Sequence, residues 1–313
     1  MKKVILALAV FAAALCGCSK DIPTNGPHTG PASEYPILFG YSDTRATADL
    51  STLQAEGFRV HAYFTGFPVD TQGRYSTFVK DVTYKSAQNV WAYEGLEYWI
   101  PGVSYWFKAF YPATLPAGTL EVQNNSSAQH YTIKNFDIVN HQVDVMVASA
   151  TATVPVGAAH PTNSSVVGLN FQHLLACIDI QMKSAISNVS ITKITLQNAD
   201  NIGSFTSVDG TWTASSFGDI TIVPADGEIL SSSSYKSVTN DGFLVIPGEA
   251  FGKTLVIETN INKTYRVELP DMTWAKGNIY TYTAEVKQSN IIFNEPKVDE
   301  WDSENATGSV IIK

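Results

Sequence analysis

Between Val166 and Met182 the buried side of this chain changes parity. Val167, Leu169 and Phe171 are odd-numbered, whereas Leu174, Ala176, Ile178, Ile180 and Met182 are even. Side chains alternate strictly across a strand, so one regular strand cannot keep both sets on one face. The change falls at Gln172-His173, where an extra residue, a bulge or a kink is required. A strand that bends in this way can leave one sheet and join another. The same slip recurs between Ile191 and Ile194.

A period of two runs through the rest of the chain. Ile37, Phe39 and Tyr41 share one face of a strand over Pro36 to Tyr41. Phe58, Val60, Ala62 and Phe64 alternate with Arg59, His61 and Tyr63, as in a sheet with one wet face. Val90 to Tyr93, Tyr98 to Pro101 and Tyr105 to Pro112 are aromatic-rich and suit a pleated surface. Asp144 to Ala148 reads as another strand. Later strands are expected at Ile220 to Val223, Phe243 to Pro247, Leu255 to Glu258, Tyr265 to Leu269, Ile279 to Val286 and Ile291 to Phe293. Asp209-Gly210, Asp226-Gly227, Asn240-Asp241-Gly242 and Lys276-Gly277-Asn278 supply turns between them. Gly308 to Lys313 reads as a short closing strand. Only Asp49 to Glu56 hints at helix, through Leu50 and Leu53. Many strands with almost no helix predict an all-β chain of two tandem antiparallel β-sandwich domains. The Ala, Thr, Pro, Gly, Asn and Ser run from Ala150 to Ser165 places the division, giving domains over 36–160 and 161–313.

The first residues carry a different signal. Lys2 and Lys3 precede an apolar run from Val4 to Leu15, too short to span a bilayer as a mature helix. Leu15-Cys16-Gly17-Cys18 then matches the bacterial lipobox, a cysteine directly after Leu-x-Gly. Residues 1–17 are therefore expected to be a lipoprotein signal peptide, cut between Gly17 and Cys18, with Cys18 acylated. Two or more acyl chains anchor a protein stably, since each buried methylene adds about 0.8 kcal/mol. Residues 18–35, with Pro23, Pro27 and Pro31, read as a flexible tether.

Chemistry is sparse beyond that. The net charge of −9 repels phosphate backbones and argues against nucleic acid as a partner. With Cys16 in the signal and Cys18 acylated, Cys177 has no partner for an intrachain disulfide, and its apolar setting suits a buried thiol. The sequence has no G-x-S-x-G elbow, H-E-x-x-H pair, phosphate-cradling glycine loop or C-x-x-C. His141 and Asp144 are three apart, a spacing that unites them only on a helix. Asp299, Glu300, Asp302 and Glu304 around Trp301 lack the order of a calcium loop and read as a solvated acidic loop. The aromatic group Tyr93, Tyr98, Trp99, Tyr105, Trp106, Phe107, Phe110 and Tyr111 could stack on a glycan, though core filling is the commoner use. No catalytic residue, metal site or cofactor is assigned, and hydrolysis by scattered acids is the weakest reading.

Arg45 carries a sharper expectation. It follows the strand Pro36 to Tyr41 in a polar loop, with the lipid site upstream. A cut between Arg45 and Ala46 would remove the anchor, the tether and that strand together. The unpaired edge left behind would be a template for a strand from another chain.

An ordered series of motifs supports this. Thr44-Arg45-Ala46 comes before Gly57-Phe58-Arg59-Val60-His61-Ala62-Tyr63. Tyr98-Trp99-Ile100-Pro101 and Phe107-Lys108-Ala109-Phe110-Tyr111-Pro112 follow, then Asp144-Val145-Met146-Val147-Ala148 and Leu169-Asn170-Phe171-Gln172-His173-Leu174-Leu175-Ala176. Leu244-Val245-Ile246-Pro247, Trp274-Ala275-Lys276-Gly277-Asn278-Ile279-Tyr280 and Val298-Asp299-Glu300-Trp301 complete it. In these the chain resembles a fimbrillin-family lipoprotein, a subunit of type V pili. The resemblance implies two transthyretin-like sandwiches, an outer-membrane or surface location, cleavage after Arg45 by an arginine-specific protease, assembly with other pilus subunits by strand exchange, and no enzymatic activity. Tip members of the family carry adhesive surfaces for host or bacterial ligands, and anchor members keep their lipid. The short final strand, Ser309 to Lys313, departs from a donor that must fill a whole groove. A permanently lipid-anchored pilus anchor, or a glycan- or host-protein-binding module, is the alternative.

Overall fold

The computed structural model describes residues 35–301, apart from 42–46, 66–75, 125–128, 224–226 and 241. Cys18, Gly17, Arg45, Ala46 and the closing Ser309 to Lys313 all lie outside the described residues. The first strands are β1 (Leu38–Tyr41), β2 (Phe58–Thr65), β3 (Ser76–Lys85), β4 (Val90–Ala92), β5 (Ser104–Tyr111), β6 (Thr119–Asn124), β7 (Gln129–Asp137) and β8 (Met146–Thr153). The middle holds β9 (Val166–Leu169), β10 (Phe171–His173), β11 (Ala176–Ser184), β12 (Ile191–Thr206), β13 (Thr211–Ile222), β14 (Lys236–Ser237) and β15 (Phe243–Val245). The last are β16 (Gly248–Glu249), β17 (Thr254–Thr259), β18 (Thr264–Glu268), β19 (Thr273–Trp274), β20 (Asn278–Val286), β21 (Ile291–Phe293) and β22 (Lys297–Glu300). One helix, α1 (Thr47–Glu56), accompanies them among the described residues, extending the expected turn by two residues.

Three large sheets organise the described residues. One runs β10-β8-β5-β2-β3-β4, a second β14-β11-β20-β21 with β15 on β11 and β22 on β20, and a third β18-β17-β12-β7-β6 with β13 on β12. The parity change does what its geometry requires: β9 pairs with β1, β10 with β8, and β11 belongs to the second sheet. The slip near Ile191 is also present, as a register shift between Ile191 and Lys193 against β17.

Pairing is mostly antiparallel, but β1–β9 and β11–β20 are parallel. Neither was foreseen, because a parallel partner lies far along the chain and leaves no turn signal. Sheet membership also crosses the 160/161 line in both directions. β9 and β10, beyond it, pair with β1 and β8, while β6 and β7, before it, sit in the sheet of β12. Tyr98 to Pro101 is not a strand: Tyr98 makes a single bridge to Pro36.

The aromatic group fills a core. Trp99, Tyr105, Phe107, Phe110 and Tyr111 are buried, and Trp99 stands edge-on to both Tyr105 and Phe107. Ile37, Phe39, Phe58, Val60, Phe107 and Phe171 belong to one buried cluster. On the opposite face of β5 and β8, Phe110 and Val147 belong to the other, where the Phe110 ring lies 5.0 Å from Tyr131. Gly57 sets the step from α1 into β2. It has φ +77° and donates to the Leu53 carbonyl, a left-handed helix cap. A Cβ there would fall 2.4 Å from the Val82 carbonyl oxygen.

Candidate functional site

The residues nearest the expected cut form a seat for β1. Along one side β1 pairs with β9 in the register Leu38↔Val166 to Tyr41↔Leu169. On the other side the Ile37 amide donates to the Glu97 carbonyl at 2.8 Å, and the Trp99 amide donates to the Tyr35 carbonyl at 2.9 Å. The Tyr93 hydroxyl donates to the Ile37 carbonyl at 2.6 Å. Burial pushes that phenol up to about 12, so it stays a donor at any ordinary pH. The Trp99 indole closes the seat by donating to the Ser165 carbonyl at 3.1 Å.

The alternation expected for this strand holds. Ile37 and Phe39 have at most 1% exposure and Tyr41 7%. Phe39 stands edge-on to Phe107, with ring centroids 5.7 Å apart. Full burial of such a side chain contributes about 1.5–3 kcal/mol. The strand therefore plugs a groove whose walls come from the segment before β5 and from β9, separated by 67 residues from Trp99 to Val166. It is held by main-chain bonds to β9 on one side, by those of Tyr35 and Ile37 just before it on the other, and by apolar side chains underneath. Five residues, 42–46, separate it from α1, and Arg45 and Ala46 are among them.

The later motifs converge elsewhere, at a buried junction that sequence reasoning missed. His173 Nδ1 lies 2.5 Å from Asp144 Oδ2, with both side chains fully buried. Trp301 stacks on the His173 ring, centroids 4.0 Å apart and planes 6° from parallel. Main-chain bonds lock the surroundings: the Leu174 amide donates to Val145, the Gly277 amide to Leu175 and the Trp301 amide to Gly277, each at 2.8 Å. The Trp212 indole donates to the Leu174 carbonyl at 2.7 Å. Asp144 thus pairs with His173 and not with His141. The acidic stretch read as a solvated loop contains β22, which pairs with β20 over Lys297↔Thr281 to Glu300↔Asn278. Because neither the carboxylate nor the imidazole meets solvent, this pair braces strands and has no substrate within reach.

Among the described residues, no three His, Cys, Asp or Glu side chains converge as a metal site. No helix there is long and apolar enough to cross a membrane. Cys177 is fully buried in β11.

A family model described as fimbrillin-like matches residues 44–301. No curated protein matches the sequence. Among solved structures, a fimbrial protein from Bacteroides vulgatus superposes with a TM-score of 0.57 at 19% identity, covering 86% of this chain and 99% of that one. A protein from Bacteroides uniformis, assigned to cell adhesion, superposes with a TM-score of 0.52 at 16% identity, covering 86% and 98%. At these identities the likeness is one of fold.

Proposed function

This chain belongs to the fimbrillin-like family, and we propose on that premise that it is a structural or adhesive subunit of a type V-like fimbria. In this reading the chain is exported as a lipoprotein, cut between Gly17 and Cys18 and acylated on Cys18. It waits at the outer membrane until a protease cleaves between Arg45 and Ala46. The cut frees the lipid, the tether 18–35 and β1 in one step. A strand from a neighbouring subunit then occupies the vacated groove. The two sandwich bodies assigned to 36–160 and 161–313 share strands across their boundary in this arrangement.

The seat of β1 carries this proposal. The strand ends at Tyr41, just before the five residues that contain Arg45. It is bonded through its main chain to β9 on one side, the residues just before it, Tyr35 and Ile37, are bonded to Trp99 and Glu97 on the other, and its buried side chains leave a ready-made groove. An incoming strand regains the ladder through backbone groups alone and chooses its register by which side chains fill the pockets.

Mass spectrometry of the N-terminus in sheared surface material tests it. Assembled fibres should contain chains beginning at Ala46. If every molecule keeps an acylated Cys18 and none begins at Ala46, the polymerising role is lost and a permanently anchored surface protein replaces it.

A further inference from the structure

β13 is an edge strand with an unusual composition. It pairs with β12 from Thr211↔Thr206 to Ile222↔Ile194, and among the described residues nothing pairs with its other side. Unpaired edges invite strands from other chains, and proteins blunt them with charge, proline or short length. The other edges of the same sheet follow that rule: β18 carries Arg266 and Glu268 over five residues, and Glu121 of β6 is ion-paired with Lys134. β13 has twelve residues, no lysine, arginine or proline, and Asp219 as its one charge. Phe217 on it is 63% exposed, and Val223 just beyond it is 68% exposed.

The second half of this edge has no inserted residue of its own. The register steps from Gly203↔Ala214 to Ile202↔Ser216, which leaves Ser215 as an extra residue, its hydroxyl donating to the Ile202 carbonyl at 3.2 Å. That bulge bends the strand and ends straight pairing on its N-terminal side. From Ser216 to Val223 β13 inserts no further residue; the two remaining register shifts, opposite Ser216/Phe217 and Gly218/Ile220, put their extra residues in β12.

We propose that this edge is a contact between two copies of the chain, paired antiparallel about a two-fold axis through Ile220. A two-fold axis normal to a sheet keeps each side chain on its own face, so a residue can oppose only residues of its own parity. With the axis at Ile220, Phe217 faces Val223, Gly218 faces Ile222 and Asp219 faces Thr221. Both exposed apolar side chains are covered, and each carboxylate meets a hydroxyl. An axis at Asp219 would set two carboxylates face to face, and one at Gly218 would push Val223 past the bulge. Only the axis at Ile220 satisfies charge and apolar cover together. The copies each carry a net charge of −9, so their long-range repulsion opposes the contact and salt should strengthen it.

The test uses the full chain with Phe217→Cys and Val223→Cys, made separately. In this register residue 217 opposes 223 of the other copy, while two residues 217 lie six positions apart, roughly 20 Å. Mild oxidation of the mixed variants should give a dimer whose disulfide peptide joins 217 to 223, and each variant alone should give none through its new cysteine. Sedimentation equilibrium of the unaltered chain should show dimer at 0.5 M salt, weakened at least tenfold by Phe217→Lys. Cross-linking by a single variant alone, no 217–223 peptide in the mixture, or a monomer at 0.5 M salt overturns the proposal.

Discussion

Asp144 and His173, 29 positions apart, meet through one 2.5 Å contact between Oδ2 and Nδ1 with no solvent on either side. The bond ties the segment before β8 to the end of β10, where the chain passes from one sheet to another. Removing one partner of a buried pair leaves the other uncompensated, a cost of about 3–5 kcal/mol. His173→Phe keeps a ring against Trp301 and should lose that much in urea unfolding. A loss below about 1 kcal/mol would mean that the contact contributes little beyond ring packing.

Trp301 is the root of the C-terminal segment, and its indole lies flat on His173. Trp301→Ala removes a buried aromatic and should destabilise by about 3–5 kcal/mol. The same substitution at a solvated loop position would be close to neutral. Thermal unfolding of the variant therefore distinguishes the buried setting from the loop expected on charge alone.

These two residues show where sequence reading stops. Alternation in β1, β2 and β5 was legible because one face of each is apolar, and the parity change foretold the passage from β10 to β11. β6 escaped because it mixes polar and apolar residues without a clear apolar face, Leu120 and Val122 being only half-buried. β7 has such a face in Tyr131 and Ile133, but Asn135 at φ +53° shifts Phe136 off its parity. β12 escaped because register shifts around Ala199 and Ile202 interrupt its pairing, and of β13 only the end from Ile220 was read because the rest of that strand is small and polar apart from Trp212 and Phe217. The His173–Asp144 pair gave one clue, namely that both residues stand within apolar motifs where a charge needs a partner. Nothing local says which partner, since the nearer His141 was set aside for want of a helix and His173 lies 29 positions away. The seat of β1 was half legible: its face was readable, its parallel partner β9 was not.

Gly57 turns α1 into β2 at φ +77°, with the Val82 carbonyl 2.4 Å from where a Cβ would sit. Gly57→Ala should cost more than about 1 kcal/mol, since alanine is strained there before the clash is counted. Circular dichroism on heating should show a lower midpoint. An unchanged midpoint would mean that the turn relaxes to a different backbone.

Phe39 is the side chain that seats β1 most deeply, between Phe107 and Tyr93. Phe39→Ala should weaken that seat by about 3–5 kcal/mol. After a nick at Arg45, this makes release of the upstream fragment roughly 150- to 5,000-fold more favourable. Gel filtration of nicked material should find the fragment retained by the unaltered chain and lost from the variant. Equal retention in both would show that the main chain alone holds β1.

Tyr93 and Tyr282 give the fold an alkaline limit. Burial, the largest cause in both, pushes each phenol from 10 up to about 12. Folding therefore favours the protonated form. Its contribution is complete below pH 10 and is lost as pH rises through 10 towards 12. Tyr93→Phe cannot ionise, so its stability should fall less steeply over that window. At pH 7 it should be weaker by about 1 kcal/mol, because the bond to the Ile37 carbonyl is gone. Urea unfolding of both proteins at pH 7, 10 and 11.5 should give stability curves that approach each other as pH rises. Parallel curves would place the Tyr93 hydroxyl in water, with β1 held by its ladder and apolar side chains alone.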